Sequence, residues 1–144
     1  MLTNTEFLSN VPIFSDLDAE TLDKIAKSGV LQSYKENSVV LSEEDAGSAL
    51  FVIAEGKVKI SRSSNDEKEV ILAILNESDF FGEMSLLDGM ARSATVTAVE
   101  DSKLFIIQRA EFLDLLKKFP DVSVALLTEL TKRLRSATMK IKAL

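Results

Sequence analysis

Between residues 30 and 108 the chain is a succession of short β-branched and aliphatic runs: Val39-Val40-Leu41, Leu50-Phe51-Val52-Ile53, Val58-Lys59-Ile60, Val70 through Leu75, Thr95 through Val99 and Leu104 through Ile107. Strands this short and this closely spaced, separated by polar turn formers, point to a sandwich, roll or barrel. Glu55-Gly56, Ser63-Ser64-Asn65-Asp66 and Glu100-Asp101-Ser102 each join consecutive runs, with the residue types that turns select. A succession of hairpins predicts an antiparallel β-roll of the jelly-roll kind.

On both sides of this region the apolar period lengthens to that of a helix. A short helical signal surrounds Phe7 and Leu8, and a second carries Leu22, Ile25 and Ala26, with Asp18 as its N-cap and Thr21 three residues on. Val11-Pro12-Ile13-Phe14 lies between them, where Pro12 bars a continuous helix. After Arg109, the residues Phe112, Leu115, Leu116 and Phe119 predict one helix that Pro120 ends, and a longer one runs from about Asp121 to the last residue. In that helix Leu127, Leu134 and Ile141 are seven apart, as are Leu130, Ala137 and Leu144, an a/d pattern that needs a partner, either the chain's own roll or, favoured because the stripe runs far past the last strand, a second copy of the helix. The fold class expected is therefore α+β, mainly β: an antiparallel roll with short flanking helices and a long C-terminal dimerisation helix. Residues 1–119 form the roll and 120–144 the helix. No glycine cap or proline stop closes the stripe at Leu144, so the expectation is a natural chain that continues into another domain.

Composition excludes whole classes of chemistry. The 144 residues contain no cysteine and no histidine, which removes disulfides, thiolate and imidazole metal sites, iron–sulfur clusters and the common general base. No nucleophile and base can be paired from what remains, so the chain reads as a non-enzyme without a resident cofactor. The net charge of −6 argues against a broad nucleic-acid surface. Residues 121–144 carry +3 and the remainder −9, a basic terminal helix that is either a solvated face or a contact for a polyanion or an acidic partner. No apolar run approaches the roughly 20 residues of a membrane span. The N-terminus lacks a basic stretch followed by an apolar core, so a cytoplasmic protein is expected.

The stretch from Phe80 to Val96 holds the candidate site. Gly82 permits a turn with close backbone approach, and Glu83 to Leu87 can form a short helix whose first amides favour an anion. Arg92 offers a planar cationic fork and Ser93 a hydroxyl, both suited to phosphate oxygens. Glu83 repels phosphate but accepts a hydrogen bond from a sugar hydroxyl. The pair fits ribose plus phosphate; a surface turn with Glu83 and Arg92 joined by a salt bridge fits the same residues.

Phe81-Gly82-Glu83, a short helix, then Arg92-Ser93-Ala94-Thr95 resembles the phosphate-binding cassette of the cyclic-nucleotide-binding domain family, in the bacterial branch typified by the catabolite activator protein and the fumarate–nitrate regulator. The resemblance extends from Val11-Pro12-Ile13-Phe14 through Glu55-Gly56-Lys57-Val58 and Arg109 to Leu130-Thr131-Lys132-Arg133-Leu134-Arg135. It implies a ligand-contacting set of Phe81, Gly82, Glu83, Met84, Ser85, Arg92, Ser93, Ala94 and Thr138. Glu83 would meet the ribose 2′-hydroxyl, Arg92 and Ser93 the cyclic phosphate, and the long helix the base, through Ala137 and Thr138; of these two only Thr138 can hydrogen-bond. The resemblance further implies a homodimer through Leu127, Leu130, Leu134, Ala137, Ile141 and Leu144, and a transcriptional regulator whose DNA-reading helix-turn-helix lies beyond Leu144. It favours cAMP as ligand. Ser93 can reach either the phosphate or the amino group of a syn guanine, which leaves cGMP open.

Asn37 and Ser78 stand where the family commonly has turn glycines, and Ala91 where eukaryotic relatives have proline before the arginine. Sister sensors that bind haem or an iron–sulfur cluster need, with few exceptions, ligands this chain lacks. Two other readings stay open: a ligand-blind dimerisation module with a vestigial cassette, and a sensor of a different small anion. Phe7, Phe14, Phe51, Phe80, Phe81, Phe105, Phe112 and Phe119 read as core; from the residues alone Met84 and Met90 read first as gap-filling core methionines and second as the border of the pocket.

Overall fold

A computed structural model describes residues 3–42, 49–63, 68–89 and 94–143, the last four as backbone only. The elements in chain order are α1 (Asn4–Ser9), α2 (Ala19–Ser28), β1 (Val30–Tyr34), β2 (Val39–Leu41), β3 (Ala49–Glu55), β4 (Val58–Ser63), β5 (Glu69–Leu75), β6 (Phe80–Phe81), α3 (Glu83–Asp88), β7 (Thr95–Ala98), β8 (Ser102–Gln108), α4 (Arg109–Lys118) and α5 (Pro120–Ala143). The strands form two antiparallel four-stranded sheets, ordered β1-β8-β3-β6 and β2-β7-β4-β5. This is the β-roll expected, with short helices and a long C-terminal helix.

The hairpin succession needs correction. Of the three turns, only the one after Ser63 joins paired strands, β4 and β5 matching from Val58 with Leu75 to Ser63 with Glu69; its residues 64–66 lie outside the described set. The turns at Gly56 and at Glu100-Asp101 carry the chain from one sheet to the other. They cross side by side: the buried Ser102 hydroxyl donates to the Glu100 carbonyl at 2.8 Å and accepts from the Lys57 amide at 3.2 Å. Gly56 makes its turn at φ +100°. Turn residues look alike whether the chain reverses within a sheet or drops to the facing one.

The strands β3 and β8 are buried on both faces, and their alternation feeds two cores. Leu50, Val52, Phe80, Phe105 and Ile107 face the helices, where they meet Leu8, Phe14, Leu22, Ile25, Phe112 and Val122. Ala49, Phe51, Ile53, Phe81 and Leu104 face the roll interior and pack with Val58 and Val96 of the second sheet. A strand buried on both sides reads as a continuous apolar run, as 50–53 and 104–107 do.

Local chemistry sets the helix ends. Thr3 and Glu6 form a capping box on α1, and Asp18 caps α2 by accepting from the Thr21 amide at 2.8 Å. At the other end α4 stops at Lys118, so Phe119 is an extended cap residue rather than helical, and Pro120 begins α5, where its missing N–H costs nothing. Packing continues across this corner between residues 119 and 120, since Val122 and Leu126 are buried in the same core as Phe14. The heptad stripe divides. Leu127, Leu134 and Ala137 are exposed, while Leu130 leans half-buried on its own core; the Ile141 side chain and Leu144 lie outside the described residues. Asn37 and Ser78, where the resemblance leads one to expect glycine, have φ of +69° and +72°. Their amides donate to the Ala98 and Ile53 carbonyls at 2.8 Å each, so the strand ends impose this left-handed backbone.

Candidate functional site

The short strand β6 pairs Phe81 with Phe51 and Phe80 with Val52. Alternation sends Phe80 into the helical core and Phe81 into the roll, where its ring stacks on Phe51 at 5.1 Å between centroids. The chain then turns at Gly82, with φ +91°, a conformation that only glycine adopts at low cost. That turn opens α3 and places Glu83, only 6% exposed, at the wall of a cleft. Arg109 holds α3 from behind, its Nε donating to the Leu86 carbonyl at 2.9 Å.

The cleft opens to solvent and has a cavity volume of about 100 Å³ among the described residues. Phe81, Gly82, Glu83, Met84 and Ser85 line one side, Leu41, Ile60, Ala94 and Val96 the other, and Arg133 of α5 reaches in from a third. The described lining is thus mainly apolar, with a carboxylate and a guanidinium. Arg133 Nη1 lies 3.3 Å from Glu83 Oε1, and Nη2 donates to the Phe80 carbonyl at 2.8 Å. The guanidinium carbon sits 4.3 Å from the centre of the Phe80 ring. A buried carboxylate is retained in an apolar setting only with such a partner. No group of histidine, cysteine or carboxylate side chains able to hold a metal occurs among the described residues.

Six expected site residues therefore come together: Phe81, Gly82, Glu83, Met84, Ser85 and Ala94. Met84 is 62% exposed at the cleft rim, which favours the pocket border over the core for this residue. The phenylalanines are core as expected, with Phe119 half-buried at its edge. Arg92 and Ser93 lie outside the described residues, as does Met90. Thr138 is exposed and not part of the cleft within this single chain; its hydroxyl donates to the Leu134 carbonyl at 3.0 Å. Sequence reasoning missed Leu41, Ile60, Val96 and, above all, Arg133, which is separated from Glu83 by fifty residues.

Comparison with known proteins agrees with this geometry. A family model described as "Cyclic nucleotide-binding domain" matches residues 31–119. The "Cyclic AMP receptor protein" of Thermus thermophilus is 35% identical over 133 residues, covering 92% of this chain and 62% of the relative. A "CRP-like cAMP-activated global transcriptional regulator" of Mycobacterium tuberculosis is 29% identical over 130 residues, covering 90% and 58%. The crystal structure of the Thermus thermophilus Catabolite Activator Protein superposes with a TM-score of 0.82 at 35% identity, covering 91% of this chain and 62% of that one. The chain thus spans about three-fifths of the length of these relatives. With its cassette corner, its roll and its family model in accord, the chain belongs to the cyclic nucleotide-binding domain family, among the homologues of the CRP/FNR regulators.

Proposed function

We propose that this cleft binds cAMP, with Glu83 accepting a hydrogen bond from the ribose 2′-hydroxyl and Arg92 and Ser93 holding the cyclic phosphate. The carrying observation is the buried Glu83 carboxylate in the wall of a mainly apolar cleft. Such a group suits a ligand that brings a hydroxyl donor as well as an anion, and it disfavours an anion alone. Phe81, Gly82, Met84, Ser85 and Ala94 shape the remaining wall. Thr138 lies on the outer face of α5 and serves a base through a second copy of the chain.

That second copy pairs through α5, using the outward Leu127, Leu134 and Ala137, flanked by Leu130 and continued by Ile141 and Leu144. Nucleotide binding then biases the helix pair and, through it, a DNA-reading domain of the whole regulator, by differential affinity for two arrangements. The chain acts as a sensor without catalysis.

Calorimetric titration of nucleotide-stripped protein tests the ligand. The expected result is saturable binding of cAMP, weakened at least tenfold in both Arg92→Ala and Glu83→Ala, since each removes a hydrogen bond to a charged group worth about 1.5–3 kcal/mol. Loss in Arg92→Ala alone points to a plain anion, and binding of cGMP alone replaces the ligand. Dimerisation is tested by sedimentation: Leu134→Glu is expected to leave a folded monomer.

A further inference from the structure

We infer that the Ser85 hydroxyl donates a hydrogen bond to the cyclic phosphate of the nucleotide; this deepens the nucleotide reading of the cleft and rests on it. Ser85 is 6% exposed on α3 and lines the cleft together with Glu83. Its carbonyl accepts from the Gly89 amide at 2.9 Å, whereas its hydroxyl has no hydrogen-bond partner among the described residues. A buried hydroxyl left unpaired is costly, and native structures leave few of them without a reason.

Other helical hydroxyls show what is missing. Thr128, Thr131 and Thr138 on α5 donate to the carbonyls four residues back, at 2.9, 2.7 and 3.0 Å. Ser9 of α1 and Ser28 of α2 donate to carbonyls three back, at 2.6 and 2.9 Å. This is the ordinary outlet for such a side chain in a helix. Near the start of α3 that outlet is poor: Phe81, four back, belongs to strand β6, and the Gly82 carbonyl, three back, accepts from the Leu86 amide at 3.3 Å. The backbone beneath the hydroxyl is nevertheless fixed. Gly89 ties the Ser85 carbonyl, and Arg109 Nε ties the next one, that of Leu86, at 2.9 Å. A donor is thus held in place in the cleft wall with nothing of this chain to receive it.

The chemistry of a 3′,5′-cyclic nucleotide supplies the receiver. Its 2′-hydroxyl and its 3′ phosphate ester oxygen stand on adjacent ribose carbons. An ionised Glu83 accepts only, so it serves the hydroxyl and not the phosphate; a serine hydroxyl in the same wall can donate where the carboxylate cannot. A charged acceptor makes that bond a strong one. Ser85 is therefore a specificity-determining residue for the phosphate, as Glu83 is for the sugar.

The test compares the parent with Ser85→Ala by calorimetry of nucleotide-stripped protein and by thermal melting without ligand. Binding of cAMP is expected to weaken about tenfold or more in the variant, as for loss of a hydrogen bond to a charged group. The ligand-free variant is expected to melt no lower than the parent, since the hydroxyl removed had no partner to lose. The ratio of affinities for cAMP and 2′-deoxy-cAMP, which reads Glu83, is expected to stay that of the parent. The preference between the two phosphorothioate diastereomers of cAMP, in which sulfur replaces one or the other exocyclic oxygen, is expected to change. Equal cAMP affinity in Ser85→Ala and the parent overturns the role of the hydroxyl and leaves the nucleotide reading intact. Weaker binding with a lowered melting temperature makes Ser85 structural and overturns it too. A collapsed 2′-deoxy ratio, or an unchanged diastereomer preference, overturns the assignment to the phosphate. A parent chain that gives no heat with cAMP overturns the nucleotide reading and this assignment with it.

Discussion

The central strands of the first sheet, β3 and β8, are buried on both faces, whereas β5 at the edge of the second sheet exposes Val70, Ile71, Leu72 and Ile74. One sheet is a wall shared by two cores, and the other is covered mainly from inside the roll. The cleft is built at their junction. Its carboxylate side follows directly from the shared wall through β6, while Leu41, Ile60 and Val96 come from the leaner sheet. The polar group thus comes from the doubly buried sheet and the facing apolar wall from the sheet with an exposed edge.

Truncating one residue on each sheet tests the difference between the two most severely. Phe105→Ala, fully buried between β8 and the helices, is expected to cost about 3–5 kcal/mol in urea denaturation. Ile71→Ala on β5, 53% exposed, is expected to cost under about 1 kcal/mol. Equal costs would mean that the two sheets are buried alike in solution. Next in size is the crossing between the sheets: Gly56→Ala forces an L side chain to φ +100° and drives its Cβ against Ser102, for an expected loss of about 2 kcal/mol. A neutral result would show that the crossing yields without strain.

Smaller effects sharpen the picture. Ser78→Gly relieves the φ of +72° and is expected to raise stability by up to about 1 kcal/mol. Asn37→Gly gains less, because asparagine already tolerates that backbone. Finally, the Thr21 amide, and then its side chain, hold the Asp18 carboxyl below its usual range. A folded-state pKa below the unfolded one stabilises above the unfolded value, and the contribution disappears as pH falls through the folded value. Asp18→Ala is therefore expected to be less stable than the parent at pH 7, with the gap closing in urea titrations once the pH falls below about 4.

Much of this was legible beforehand. The β-branched runs located the longer strands, Asp18 announced its helix, and Phe81-Gly82-Glu83 marked the corner of the cleft. Sheet membership was hidden, because a strand buried on both faces, such as 50–53, loses the alternation that would say which way each residue points. The two-residue β6 is too short for any periodic signal. Arg133 was hidden for a different reason: nothing local distinguishes it from Lys132 or Arg135, and its partners Phe80 and Glu83 are brought to it only by the folded chain. Met84 shows the reverse, an apolar residue whose place on the short α3 leaves it at the rim.

The corner at Phe119-Pro120 gives the last helix a mechanical property. Helix α4 ends and α5 begins around a single cap residue, with Phe119 half-buried against the core and Val122 and Leu126 sunk just beyond it, so α5 is an arm whose direction is set at its root. At a rise of 1.5 Å per residue, Arg133 lies about 20 Å along the arm from Pro120 and Ala143 about 35 Å. The first part of that length is bedded in the core through Val122, Leu126 and Leu130, so Arg133, at the wall of the cleft, stands just past the last bedded turn.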